Sequence, residues 1–143
     1  MISQELIQRF SEAIARAEGF YTQGSIPQRA NNPGDTTDAG DVGNGVIQTG
    51  GPAGAKITIF SNVTDGWNEL YRKVRRMLSG ASEVYTLDMS VEQVGMKYSD
   101  DPNWGVNVSA ALGTVGSLTV TPATTLAEIA QADLQAQEGE NVT

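Results

Sequence analysis

The stretch TDGWNELYRKVRRMLSG, residues 64–80, sets Trp67, Leu70, Tyr71, Val74, Met77 and Leu78 at three- and four-residue steps. That is the period of a helix with one apolar face, and such a face has to be buried against other elements. Arg72, Lys73, Arg75 and Arg76 fall off the stripe and read as a solvated helix face, with a cell-wall or membrane contact as the alternative. Gly80 ends the run.

Partner helices are available on both sides of this one. From Ser3 to Glu18 the residues Leu6, Ile7, Phe10, Ala13, Ile14 and Ala17 repeat the same period, with Ser3 placed as N-cap and Gly19 as stop. SVEQVGMKYS (90–99) opens with Ser90 and Gln93 in capping-box spacing. In DPNWGVNVSAALG (101–113) Asp101 is read as N-cap, Pro102 as the first helical residue and Gly113 as the stop. A last helix starts at Thr125, whose spacing to Glu128 is again a capping box, and the tail 136–143 is expected to fray. Trp67, Tyr71 and Trp104 are read as core because each lies on or one turn from an apolar stripe.

Between Gly19 and Gly45 the period disappears and turn formers dominate, which predicts a long structured loop or flap. GVIQT (45–49) and KITIF (56–60) are short β-branched runs around GGPAGA and predict a small hairpin. The expected fold is therefore mainly α (α+β), one domain over 1–143 with a β-hairpin flap.

Nine Lys and Arg against 17 Asp and Glu give a net charge of −8, so the surface repels phosphate backbones and nucleic acid is not expected as a partner. With neither Cys nor His, the chain has no disulfide, no thiolate metal site and no His-dependent triad. Carboxylates, hydroxyls, amides, Lys and Arg remain for chemistry, and no cofactor or metal is expected. No basic segment followed by an apolar run opens the chain, and no stretch of about 18 apolar residues occurs, so neither a signal peptide nor a membrane span is expected.

Glu18 stands at the end of the first apolar stripe, in AIARAEGF (13–20). Its side chain leans back over a largely apolar helix surface, and the negative end of the helix dipole lies beside it. Both effects disfavour the charged form and raise its pKa, the environment a general acid needs at neutral pH. A solvated helix-end residue, or an ion pair with Arg16, Arg29 or Lys97, is the alternative. In the loop SIPQRANNPGD (25–35), Pro33 and Gly34 fit the centre of a type II turn after Asn32. Arg29, Asn31 and Asn32 can present guanidinium and amide groups to the hydroxyl and acetamido groups of a sugar chain, or the Asn side chains can bond their own backbone. Tyr21 either stacks on a sugar ring or closes the helix end.

AIARAEGFY…SIPQRANNPGD, then a Phe strand, DGWNELYRKV and YS…NWGVNVSAALG, resembles phage and bacterial domains related to lytic transglycosylases and goose-type lysozymes. The shared pattern is a Glu ending the first helix, an R-x-N-N-P-G-[DN] loop, a Phe strand, a G-W helix and a final Y…N-[YW] helix, in order over about residues 10–115. The resemblance implies a small lysozyme-like helical domain with Glu18 as its catalytic acid. That acid protonates the oxygen between N-acetylmuramic acid and N-acetylglucosamine and then acts as base. It also implies substrate-binding roles for Arg29, Asn31, Asn32 and Asp35, and places Tyr98 near the glutamate. This chain departs from the pattern at Thr36, where an aliphatic residue is expected, and in the polar stretch TTDAGDVGNG (36–45).

A second carboxylate is open: Asp35, Asp38 and Asp41 could each supply one, or serve as loop solubility and Asx-turn residues. A transglycosylase needs none, because the substrate's N-acetyl group and an intramolecular hydroxyl complete the reaction. The expected activity is cleavage of the peptidoglycan glycan strand, as transglycosylase or muramidase. The alternatives are a virion or secretion-associated structural or glycan-binding protein, and a helical interaction module unrelated to glycans. As an enzyme it would act outside the cytoplasm, delivered by virion, lysis or secretion machinery.

Overall fold

The computed structural model describes residues 1–37, 46–48 and 56–140. The described residues form six helices, α1 (Gln4–Ala17), α2 (Ile26–Arg29), α3 (Val63–Ser79), α4 (Val91–Tyr98), α5 (Trp104–Leu112) and α6 (Leu126–Glu140). Two short antiparallel hairpins accompany them, β1 (Val46–Gln48) with β2 (Lys56–Thr58) and β3 (Thr114–Val115) with β4 (Leu118–Thr119). The mainly α expectation with a small β-hairpin holds. Asp38 and Asp41 lie outside the described residues.

The two apolar stripes meet in one core. Leu6, Ile7, Phe10, Ala13 and Ile14 of α1 pack with Leu70, Val74, Met77 and Leu78 of α3, and Trp104, Val108 and Leu112 of α5 close over them. Val91 and Val94 of α4 and Leu126 and Ile129 of α6 complete the cluster. Full burial of each large aliphatic side chain contributes about 1.5–3 kcal/mol, which far outweighs the few tenths from helix propensity. Tertiary packing therefore holds even the eight-residue α4 in place.

The caps follow the sequence with one exception. Ser3 Oγ accepts from Leu6 N, the Ser90 and Gln93 box is reciprocal, and Thr125 N donates to Glu128 Oε1 while Glu128 N donates to Thr125 Oγ1. Asp101 is not the N-cap of α5. Its Oδ1 accepts from Asn103 N at 2.9 Å, an Asx-turn that carries Pro102 outside the helix and leaves Asn103 at the cap position. Gly113 does end α5, at φ 70°.

The tail differs from expectation as well. Rather than fraying from residue 136, α6 runs to Glu140, because its last turns are tied to the chain start. Asp133, buried at 6 % exposure, accepts from Ser3 N at 2.9 Å and Ser3 Oγ at 2.5 Å, and Gln137 Nε2 donates to Met1 O and Asp133 Oδ2. Inside the 19–45 loop the one-turn α2 forms, with Ser25 as cap and Pro27 in its first turn. β1 and β2 pair in the register Val46 to Thr58, Ile47 to Ile57 and Gln48 to Lys56, and Thr37 bridges to Ile57 on the other edge.

Candidate active site

The end of α1 fixes one carboxylate. Gly19 N donates to Arg16 O and Phe20 N to Ala15 O, the paired bonds of a Schellman motif, with Gly19 at φ 78°. Glu18 is the residue just before that glycine, in right-handed helical geometry at φ −84°, so its side chain turns back along the helix rather than out along the loop.

Four aromatic and basic side chains, from α3, α4, α5 and the stretch before α4, gather around it. Trp104 Nε1, at the start of α5, donates to Glu18 Oε1 at 3.2 Å. The indole is 1 % exposed and stacks on Tyr98 of α4 at 5.3 Å between centroids, with the planes 29° apart. Tyr98 in turn lies 6.0 Å from the Tyr85 ring. Lys73 of α3 is half-buried, with its ammonium 4.3 Å from the Tyr98 centroid and 5.7 Å from that of Tyr85. Lys73 is therefore not part of a solvated basic face. Its neighbours are: Arg72 pairs with Glu69, Arg75 bonds Gln4 and Arg76 bonds the Ala81 carbonyl.

The NNPGD loop is moored beside these groups. Asn32 is fully buried, and its side chain makes four bonds: Nδ2 donates to Thr36 O and Thr58 O, and Oδ1 accepts from Thr36 N and Thr36 Oγ1. That last bond explains why a threonine is tolerated where an aliphatic residue was expected: its hydroxyl fills the second acceptor site of the amide. Asn31 takes a left-handed conformation, φ 53°, and donates to Phe60 O at 3.1 Å. Both amides thus bond inward, Asn32 with its whole capacity. Arg29 is exposed and donates to Gly24 O at 3.0 Å, holding the turn around α2.

A turn does form at Pro33 and Gly34, closed by Asp35 N donating to Asn32 O at 3.0 Å, but it is not type II. Gly34 has no positive φ; the left-handed residues are Asn31 and Asp35 on either side. Glycine is required there for space, since a Cβ would stand 2.7 Å from Leu70 Cδ1 and 3.0 Å from Tyr98 Oη. Gly66 does the same on the other flank, where a Cβ would meet Asn31 O at 1.9 Å. The loop therefore lies directly on the first turns of α3, and Tyr98 Oη donates to Gly34 O at 2.5 Å.

Asp35 ends the turn at φ 49° with Oδ1 buried and without a hydrogen-bond partner among the described residues. Burial pushes its carboxyl up to about 6, against the pull of Lys73. Burial likewise pushes Glu18 up to about 8, and the Asp35 charge adds to it; the Trp104 N–H and Lys73 pull the other way, and Asp101 adds a lesser upward push. Lys73 sits below the usual lysine value, chiefly through burial, with the charges of Glu18, Glu69 and Asp35 opposing and that of Arg72 assisting. Burial holds the Tyr98 hydroxyl well above its usual value, so it stays a neutral donor to the loop. At pH 7 Glu18 is then mostly protonated and Asp35 mostly ionised, two carboxyls driven apart by their surroundings.

Of the residues singled out in the sequence, Glu18, Asp35 and Tyr98 come together, Asn31 and Asn32 brace the loop that carries Asp35, and Arg29 stands apart. Glu18 makes no ion pair with Arg16, Arg29 or Lys97; Arg16 pairs with Glu12 instead. Trp104 and Lys73 were not singled out for the site. Trp104 is buried in the core, as its place one turn from an apolar stripe predicts, yet its N–H is the direct partner of the acid. Trp67 and Tyr71 are half-buried rather than enclosed, stacked at 5.8 Å with Phe20 edge-on to Trp67. Tyr21 is exposed and its hydroxyl donates to Glu12, away from Glu18.

No protein-family model, no curated protein and no solved structure matches this chain. Among the described residues no helix is long and apolar enough to cross a membrane.

Proposed function

We propose that this protein cleaves the glycan strand of peptidoglycan, with Glu18 as the general acid. The observation that carries the reading is a carboxyl held protonated at neutral pH: Glu18, raised to about 8 by burial and hydrogen-bonded to the Trp104 indole at a fixed helix end. A buried carboxyl beside a tryptophan is the environment of the general acid in lysozyme, in which an apolar pocket keeps the proton on until the leaving oxygen takes it. The order of sequence motifs resembling lysozyme-like domains supplies the substrate class, and the site geometry supports the chemistry. The fold alone would not, because one scaffold serves many functions.

Chemically, Glu18 gives its proton to the bridging oxygen as the bond from C1 of N-acetylmuramic acid breaks. The charge left on Glu18 is stabilised by the Trp104 N–H and the Lys73 ammonium, both already in position. Partners are then N-acetylated glycan strands, reached outside the cytoplasm with the help of virion, lysis or secretion machinery.

The test is clearing of a suspension of purified cell walls at pH 7 by wild type and by Glu18→Gln. Clearing by wild type and at least a hundredfold slower clearing by the folded variant, on the order expected for a lost general acid, supports the reading. Equal inertness of the two overturns it, and retention on insoluble peptidoglycan would then favour a glycan-binding structural protein.

A further inference from the structure

We infer that Asp35 is a second catalytic carboxylate, the base that activates water, and that the reaction is hydrolysis rather than anhydro-ring formation. The inference rests on the proposed glycan cleavage and assigns what attacks C1.

Three observations converge on Asp35. Its backbone is in the left-handed region, φ 49°, a conformation that costs a non-glycine residue free energy and persists only where the surroundings enforce it. The enforcement is visible: Asn32 spends four side-chain bonds on the turn, Tyr98 Oη bonds Gly34 O at 2.5 Å, and Gly66 lets Asn31 lie on α3. Secondly, Oδ1 of Asp35 is enclosed and has no hydrogen-bond partner among the described residues. An acceptor so placed forgoes the stabilisation of a hydrogen bond, and a water or substrate hydroxyl is the group that would recover it. An Asx-turn would instead have used that oxygen on its own backbone. Thirdly, a continuous line of contacts fixes Asp35 relative to the acid: Gly34 O to Tyr98 Oη, the Tyr98 ring on the Trp104 indole, and the indole N–H on Glu18. The charged and titratable groups facing this pair are Lys73 from α3, Tyr85 before α4, Tyr98 from α4 and Asp101 before α5.

The step balances without a further reactant. Water oxygen bonds to C1 while the C1–O bond to N-acetylglucosamine breaks. Asp35 takes the proton leaving the water, Glu18 gives its own to the departing oxygen, and solvent exchange returns both carboxyls to their starting states. The products are a reducing N-acetylmuramic acid end and a free 4-hydroxyl.

Digestion of purified peptidoglycan in water enriched in oxygen-18, followed by mass spectrometry, tests this. One heavy oxygen at each new reducing end is expected, and Asp35→Asn, which tolerates the same backbone, should release such ends at least about a hundredfold more slowly. Asp35→Gly, at ease with positive φ, guards against misfolding, and added formate should restore part of its rate. Products one water lighter, with anhydro ends, overturn the inference while leaving Glu18 as acid. A full rate in Asp35→Asn overturns it too. No cleavage by wild type removes the proposed function and this inference together.

Discussion

Trp104 Nε1 donates to Glu18 Oε1 at 3.2 Å across 86 positions of sequence. The bond lowers the Glu18 pKa while burial raises it, so the indole tunes the acid as well as enclosing it. Trp104→Phe keeps a large ring on Tyr98 but removes the donor. The alkaline limb of the clearing rate, which follows loss of the Glu18 proton, should move to higher pH. A pH–rate profile of the variant against wild type measures it, and an unmoved limb would deny the bond its role.

Lys73 opposes the rise of both carboxyls. In Lys73→Met the stem still packs on Tyr85 and Tyr98, but the charge is gone. Both Glu18 and Asp35 should then hold their protons to higher pH, carrying the whole activity profile upward. A profile shifted downward would contradict the placement of the ammonium.

The acid also carries a stability cost with a definite sign. Its folded pKa, about 8, lies above the unfolded 4.5, so the stability that Glu18 contributes is fully present below pH 4.5 and is lost as pH rises through 8. Glu18→Gln, neutral throughout, should gain on wild type between pH 5 and 9, by as much as about 4–5 kcal/mol at full ionisation. Denaturant midpoints of the two proteins across that range give the difference; a constant gap would show that Glu18 is not raised.

Much of this architecture is legible in the sequence, and the reason is local. The stripes of α1 and α3 and the boxes at Ser90 and Thr125 depend on neighbours within four residues, which a sequence displays directly. The meeting of Trp104 with Glu18 does not. An apolar stripe says that a side chain points inward, not which distant atom its polar edge will find. Lys73 was hidden for the same reason: it lies off the stripe, and its long stem lets the ammonium reach the Tyr98 face. The α6 extension was hidden too, because Asp133 and Gln137 bind residues 1 and 3 at the far end of the chain.

The loop residues divide by role. Asn32→Leu removes four bonds in a dry site and leaves Thr36 N–H without its acceptor, which should cost about 2–4 kcal/mol in a urea melt. Arg29→Ala, at an exposed position, should stay within about 1 kcal/mol of wild type. Equal effects would mean that the loop is not anchored through Asn32.

Whether one carboxyl keeps its proton at neutral pH is measured without any substrate by a carbon-13 NMR titration of the Glu18 side-chain carboxyl. A midpoint near 8 is expected. A midpoint near the ordinary 4.5 would contradict it.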